Sequence, residues 1–515
     1  MNKISCQKRF VLGVAVFLLI FILGACQTGK IETEQKNALS YGLEELPSAE
    51  KPAEATKTQD ISFFQAVLQG LFVYDENGNL QQQSVAEWNI SEDGLTYTLI
   101  LKDDIYWSDG EQLQAEEYVQ AWLDALNPEQ PSLYVYEFYP IKNALDYALK
   151  QRSDFIGNAA NLEDVGIRAI DEKTIEITLE ERRSDFLHSL AGVAFLPLPI
   201  REGELSYGNF LGGELPVNGA YIPMDYLPEK ELFLKLNPDF SGAIKPEIEE
   251  YHLLIPGNDA DIRKAKDGNA RIVRNSLYYY SLNTFRGPLE NESLRRALDF
   301  ALDRRDLAER ISPANLLPAF GLLPETIGND GFQHTSKTDR GEEALELLHA
   351  SGYAAEDKPL RLWVLDSPEE LRIAEEITTQ WKKSLGIEIE ISAKDLDSLL
   401  KAGIDDFDIW ANHYQANVRD PLVFLELFEN PVWRLQNKSF WQNGAYDSLL
   451  REIKSLPEGA ARDAKVLAAE KILSEELPFL PLFSPTESYA VPRNYLVREH
   501  PGGGLDLVLI AKKTQ

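Results

Sequence analysis

Cysteine is almost absent from this chain. Its two copies, Cys6 and Cys26, both fall within the first 26 residues, so the long remainder can form neither a disulfide nor a thiolate zinc site. Histidine is also sparse: six residues, scattered, with no H-E-x-x-H among them, which removes the zinc-hydrolase signature. No G-x-x-x-x-G-K-[ST] loop occurs, so any ATP hydrolysis coupled to this protein belongs to another subunit. Positive charge is short as well, with 51 Lys and Arg against 83 Asp and Glu and a formal net charge of −32. That balance argues against nucleic acid, whose phosphates call for a basic face. It reads instead as solubility and long-range field. With 83 carboxylates, accidental pairs are expected, and none counts as evidence of glycosidase chemistry. No catalytic constellation emerges, and no cofactor or metal is expected.

At 515 residues the chain exceeds what one compact core accommodates, so two or three domains are expected. A hydrophobic content of 44% with 10% aromatics is that of a globular protein. The N-terminus carries an address. Lys3, Lys8 and Arg9 precede the apolar run Val11–Leu23, which is shorter than the roughly 18–20 residues of a spanning helix. Leu23-Gly24-Ala25-Cys26 resembles the bacterial lipobox. Residues 1–25 are therefore read as a lipoprotein signal peptide and Cys26 as the lipidated residue that anchors the chain to a membrane. Removing residues 1–25, which hold three basic residues and no acid, takes the net charge from −32 to −35. Residues 26–60 are polar and are read as an anchor and flexible tether.

Residues 85–122 are the most informative stretch. Ser91-Glu92-Asp93-Gly94 is a turn, since Asp-Gly suits the positive-φ position of a tight hairpin. Leu95–Leu101 alternates like a half-buried strand, Trp107-Ser108-Asp109-Gly110 closes a second turn, and Ala115–Trp122 has helical spacing. Other strands are expected at Gly70–Tyr74, Val165–Ile170, Thr174–Leu179 and Glu231–Leu236, with a helix at Ile141–Gln151. Beyond residue 290 helices at Leu294–Ala308, Glu342–Ser351 and Glu369–Leu385 alternate with strands at Leu360–Leu365 and Ile387–Ile391. That alternation predicts a second α/β lobe, and Gly386 marks the C-cap of the long helix. The tail, Leu480–Phe483 and Tyr489–Val497, returns to strand character.

The Glu-Trp, S-x-DG-x-x-Y-T and W-S-DG elements, in that order, resemble the solute-binding proteins (family 5) of peptide-type ABC transporters, the oligopeptide-binding lipoproteins in particular. VGIRAIDEKTIEITL, LPVNGAYIP, YYYSLN, SLRRALDFALDRRDL, WKKSLGIEIEI and FDIWANHYQANVRDPLVFLELF follow in the family's succession. The resemblance runs from about residue 63 to the C-terminus. It implies an α/β, bilobed periplasmic-binding-protein fold of the peptide-binding (cluster C) type, with two mixed-sheet lobes plus an extra domain. Lobe I would comprise residues 61–69, 166–275 and 486–515; the extra domain, 70–165; lobe II, 276–485. The implied protein is an extracytoplasmic monomer, not an enzyme, on the periplasmic face or outer surface of the cell membrane. It captures oligopeptides between its lobes and delivers them to permease subunits.

In that family an acid just after an aromatic residue in the second lobe takes the peptide amine. Here the corresponding position is Asn417, which can accept a hydrogen bond but brings no charge. Tyr414 stands for the usual Trp, Ala411 for a basic residue of some members, and His413 lies on the same stretch. Asp420, three residues on, belongs to a turn before Pro421. Tyr279 is the expected ligand contact on the strand that crosses between lobes, because alternation turns Tyr278 and Tyr280 the other way; Asn283 follows it. The segment between Ile255 and Arg271 is shorter than in relatives. These departures keep a second reading open: a diverged homologue acting as signalling receptor, chaperone or adhesin, or a binder of a non-peptide solute.

Overall fold

The computed structural model describes residues 37–513 apart from 44, 56, 131, 133, 152–159, 207, 209, 256–268, 314, 328–339, 355–357, 396–397, 400–402 and 431–436. The signal peptide, Cys26 and most of the shortened 256–270 segment lie outside the described residues. The chain divides into a short unit, Met1–Ala38, and a main unit, Leu39–Gln515, and the main unit carries the sheets and cores.

After the first strand, β1 (Ala38–Gly42), a hairpin joins β2 (Phe72–Tyr74) to β3 (Leu80–Gln82). Its turn is held by Asp75, whose Oδ1 accepts from the backbone N–H of Asn77 at 2.8 Å and of Asn79 at 2.9 Å. Next come β4 (Val85–Ile90) and β5 (Thr96–Leu101), joined at Gly94 with φ +71°. Tyr97, Leu99 and Leu101 bury one face of β5, as the period of two requires. With β6 (Ile167–Ala169) and β7 (Thr174–Thr178) they form a four-stranded sheet in the order β4-β5-β7-β6. The helix Ala115–Ala125 packs beside it. Glu117 closes that helix's first turn by accepting from Gln114 N at 3.0 Å, and the same oxygen takes the indole N–H of Trp107 at 2.8 Å. Trp122 donates to the Phe195 carbonyl at 3.0 Å. Trp107 and Trp122 of the 85–122 block are therefore scaffold, while Trp88 is exposed.

A small hairpin, β8 (Ile200–Arg201) with β9 (Glu204–Leu205), leads to the antiparallel meander β10 (Tyr221–Leu227), β11 (Glu231–Leu236) and β12 (Glu250–Leu254). β13 (Asn269–Val273) and β14 (Ser276–Leu282) follow end to end. β15 (Leu316–Pro318), β16 (Leu360–Leu365), β17 (Ile389–Lys394), β18 (Ile409–Gln415) and β19 (Phe479–Ala490) complete an eleven-stranded mixed sheet. Its path runs β10-β11-β12-β1-β19-β14-β18-β16-β17, with β13 and β15 also on β19. β16 lies parallel to β17 and β18. The chain closes with β20 (Tyr495–Leu496) and β21 (Ala511–Lys512).

Strand β19 serves both halves. Its first part pairs with β14 and β15, and its last residues pair with β13 and β1. The cores divide at the same place. One cluster gathers Leu39–Leu253 and returns for Tyr489–Ile510; two large ones and a small one of Leu399, Phe407 and Trp410 lie within Leu277–Phe483.

Several expectations are corrected. The tether ends early: from Ala38 on, the 26–60 segment is folded, because Leu39 and Tyr41 alternate into the core and Pro52, Ala53 and Ala55 are buried. The boundary expected between residues 165 and 166 cuts a sheet, since Ile175 and Ile177 of β7 pair with Leu99 and Tyr97. The helix expected over Leu294–Ala308 is two, Glu292–Phe300 and Arg304–Ile311; Asp303 caps the second by accepting from Arg305 N and Asp306 N at 3.1 Å each. The helix at Ile141–Gln151 is reduced to Ala144–Ala148, and the two tail strands are one through Ala490.

The C-terminal loop His500-Pro501-Gly502-Gly503-Gly504 packs against the helix Thr58–Val67. A Cβ on Gly504, whose φ is +80°, would lie 2.2 Å from the Thr58 carbonyl oxygen. Gly78 has a similar φ of +84° but open space around it. Gly78→Ala should therefore cost about 1–2 kcal/mol, the left-handed penalty alone. Gly504→Ala should cost distinctly more, read as a larger drop in urea midpoint.

Candidate functional site

β14 and β18 lie side by side in register, with Tyr279 opposite Asn412, Tyr278 opposite His413 and Leu277 opposite Tyr414. All seven residues of β14 are buried, because separate hydrophobic clusters cover its two faces. Leu277 and Tyr279 enter one, Tyr278 and Tyr280 the other. Tyr279 thus sits in a core, 5.9 Å from the ring of Phe428 and 6.1 Å from that of Phe479, with only 2% of its surface exposed. The expectation of a ligand contact there is corrected. The alternation was right, but the face it selects is covered. Asn283 is likewise committed. Its Nδ2 donates to the Ile404 and Phe407 carbonyls at 2.7 and 3.1 Å, and its Oδ1 accepts from Phe285 N and Arg286 N. It is a turn-former without a free polar atom. Asp420 caps the helix Pro421–Leu425 and pairs with Arg462 at 2.8 Å.

The end of β18 is different. His413 stacks on Tyr278 at 4.0 Å with 17° between the rings, and its Nε2 lies 3.1 Å from Ser276 Oγ. The ring keeps exposed surface, yet burial, reinforced by the charge of Arg274, lowers its pKa to about 3. Tyr414 is half-buried, edge-on to Phe424 at 5.2 Å. Asn417 is buried, and its Nδ2 donates to Glu137 Oε1 at 2.8 Å, while its Oδ1 has no hydrogen-bond partner.

Glu137 is the residue that sequence reasoning missed. It belongs to the short turn Val135–Phe138, which is fixed from below: Phe138 packs 4.6 Å from Phe195, and the Tyr134 hydroxyl donates to the Ala55 carbonyl at 2.6 Å. The signal available was the aromatic run Tyr134-Val135-Tyr136-Glu137-Phe138-Tyr139, with one acid in its middle. Phe138 lies in the first core and Ala416 in the second, so the Glu137–Asn417 contact crosses between them. Burial pushes the Glu137 carboxyl up to about 7, against the pull of the Asn417 hydrogen bond and of Arg183.

Two further polar groups join the cores. In the first, Arg183 grips Asp185 at 2.7 Å and Glu426 at 2.6 Å, while Lys454 meets Glu429 at 2.9 Å, Glu426 at 3.1 Å and Glu181 at 2.5 Å. In the second, Arg274 stands about one water's width from two acids, 4.0 Å from Glu487 and 3.9 Å from Glu499. Arg274 Nε, Glu487 Oε2 and Glu499 Oε1 are all buried without a hydrogen-bond partner. Glu499 is pushed up to about 8 by burial. Gln415 and Arg419 tie the end of β18 to this loop, donating to the carbonyls of Pro501 at 3.3 Å and Glu499 at 3.0 Å. Among the described residues no group of three His, Cys, Asp or Glu is placed to hold a metal ion. Glu137, His413, Tyr414 and Asn417 thus form a polar and aromatic cluster at the end of β18, where the cores meet.

The profile described as "Bacterial extracellular solute-binding proteins, family 5 Middle" matches residues 79–277 and 250–434. The chain belongs to this family. It is 23% identical to the oligopeptide-binding protein OppA of Bacillus subtilis, over 97% of this chain and 98% of that protein. It is 25% identical to the probable deoxycholate-binding periplasmic protein YgiS of Escherichia coli, over 85% of each. Among solved structures, the murein tripeptide binding protein MppA in its unliganded open form superposes with a TM-score of 0.72 at 23% identity, covering 93% of this chain and 98% of that one. This likeness establishes the bilobed, mixed α/β fold. The family is extracytoplasmic, and its members bind solutes rather than transform them. Among the described residues no helix is long and apolar enough to cross a membrane.

Two outcomes follow from the charges. Arg183→Ala would leave Asp185 buried without its cation and Glu426 with Lys454 alone, at a cost of about 3–5 kcal/mol. A lowered denaturation midpoint, or a larger radius of gyration in solution scattering if the cores part first, would register it. The second concerns pH. Between its unfolded value of 4.5 and about 8 in the fold, Glu499 holds a proton that the unfolded chain has lost, as Glu137 does up to about 7. Stability therefore falls as pH rises through that window. His413 and His500, lowered to about 3 and about 4, act oppositely but only below their unfolded value of 6.5. The melting temperature should fall between pH 6.5 and 8, and Glu499→Gln should flatten most of that slope.

Proposed function

We propose that this chain is the receptor subunit of a peptide ABC transporter. In this reading it is a lipid-anchored monomer, held to the membrane through Cys26, that encloses an oligopeptide between a first lobe and a second lobe of residues 276–485. The first lobe takes residues 61–69, 166–275 and 486–515 and carries the β4–β7 sheet with it. The loaded protein then presents one closed conformation to permease subunits. The observation that carries this reading is the end-to-end likeness to a protein named for oligopeptide binding, 97% of this chain against 98% of that one. The polar and aromatic cluster at the end of β18 supports it. Its polar groups come from both cores, the placement through which a ligand can favour closure.

A second reading, a non-peptide solute or a role other than transport, has one relative named for deoxycholate binding in its favour, together with the neutral Asn417. Native mass spectrometry of protein purified from its source separates the two. Co-purifying peptides, and a rise in melting temperature with a mixed peptide pool, are expected. Protein occupied by a steroid or another small molecule, with no response to peptides, would replace the first reading by the second. In the same cells Cys26→Ser should shift the protein from the membrane to the soluble fraction; retention on the membrane would exclude the lipid anchor.

A further inference from the structure

Several buried acids in this protein are matched to cations, while Asp60 and Asp506 are held by backbone N–H groups instead. Asp185, Glu426 and Glu429 meet Arg183 or Lys454, Asp299 meets Arg304, and Asp420 meets Arg462. Glu137 has no Lys, Arg or His among the described residues within ion-pair distance. Its one hydrogen-bond partner is the neutral amide of Asn417, although part of its surface stays accessible. Tyr134 and Tyr136 of its own turn and Tyr414 of β18 lie close enough to feel its charge. Beyond them the charges acting on it are Arg183 and Asp185, which oppose each other. A carboxylate among phenol rings, reachable and without a cation, has the composition of a site for an ammonium group: charge on one side, π faces on the others.

We propose that Glu137 is the residue that receives a positively charged group of the ligand, and that Asn417 holds its carboxylate in place until that group arrives. The acid is supplied by the first core, opposite Asn417 in the second, so a cation bound there sits at the seam and favours the closed arrangement. The identity of the cation as a peptide's terminal ammonium rests on the peptide reading; the role of Glu137 does not. The carboxyl gives up its proton as the cation binds, so binding weakens below about pH 7.

The test uses the full protein and three probes: a peptide pool, the same pool N-acetylated, and 1,5-diaminopentane. Affinities are measured by calorimetry at pH 8. The wild type should bind the free-amine pool about tenfold or more tightly than the acetylated one, the increment of a charge-assisted hydrogen bond. Glu137→Gln keeps an acceptor for Asn417 but no charge. It should bring the two pools within about twofold of each other without lowering the ligand-free melting temperature. The double variant Glu137→Gln with Asn417→Asp moves the charge across the seam and should restore the preference. Equal binding of both pools by the wild type, or a preference that survives Glu137→Gln, overturns the proposal and leaves the peptide reading standing. Binding of the diamine alone, lost in Glu137→Gln, keeps the role of Glu137 and removes the peptide reading. No binding by any probe overturns both.

Discussion

One strand, β19, belongs to two cores at once, and the geometry of the rest follows from that. Its backbone must be paired along its whole length. Phe479–Pro485 finds partners in β14 and β15, and Thr486–Ala490 finds them in β13 and β1. The change of partner coincides with the break between β13 and β14 at Arg274 and Asn275, and with the division of the hydrophobic clusters. Two cores that share a strand are fixed there and free to approach elsewhere. Residues brought together away from β19 therefore form the part of the interface that a ligand can influence.

What fills that interface is charge, in a protein with a large negative excess. Taking an unpaired ion out of water is costly enough that buried charges are paired or neutralised. The Arg183–Lys454 network satisfies the rule by pairing. Glu499 satisfies it by holding a proton, its carboxyl pushed up to about 8 by burial. Glu137 lies between these cases. It is desolvated enough to stand at about 7, accessible enough to meet solvent, and bonded only to an amide. Unlike the acids of the Arg183–Lys454 network, it meets an amide across the seam instead of a cation.

Much of the fold was legible because periodicity and turn chemistry are local. The Asp93-Gly94 turn, the alternation of β5, the strand Leu360–Leu365 and the left-handed cap at Gly386 each depend on a few neighbouring residues. Where local pattern failed, longer-range packing had decided. Residues 38–60 look polar as a string, yet Leu39 and Tyr41 find a core. Leu294–Ala308 keeps helical spacing throughout, yet Asp303 caps a new helix inside it. The site divided the same way. The resemblance led to the end of β18, where Asn417 bonds Glu137, and misled at Tyr279 and Asn283, which packing holds elsewhere. A side chain's distance from other side chains of its own strand is set by the pleat, whereas whether its face is covered depends on elements 150 residues away.

Sequence alone determined the family, the acidic and cysteine-poor character of the chain, most of its strands and helices, and a neutral amide at position 417. It could do so because each is a property of residue order. Only the tertiary structure decided which group that amide meets. Asn417 and Glu137 are separated by 280 positions, and nothing in either neighbourhood names the other. They meet because β19 joins the two cores and because the turn Val135–Phe138, pinned by Phe195 and Ala55, extends one carboxylate across the seam.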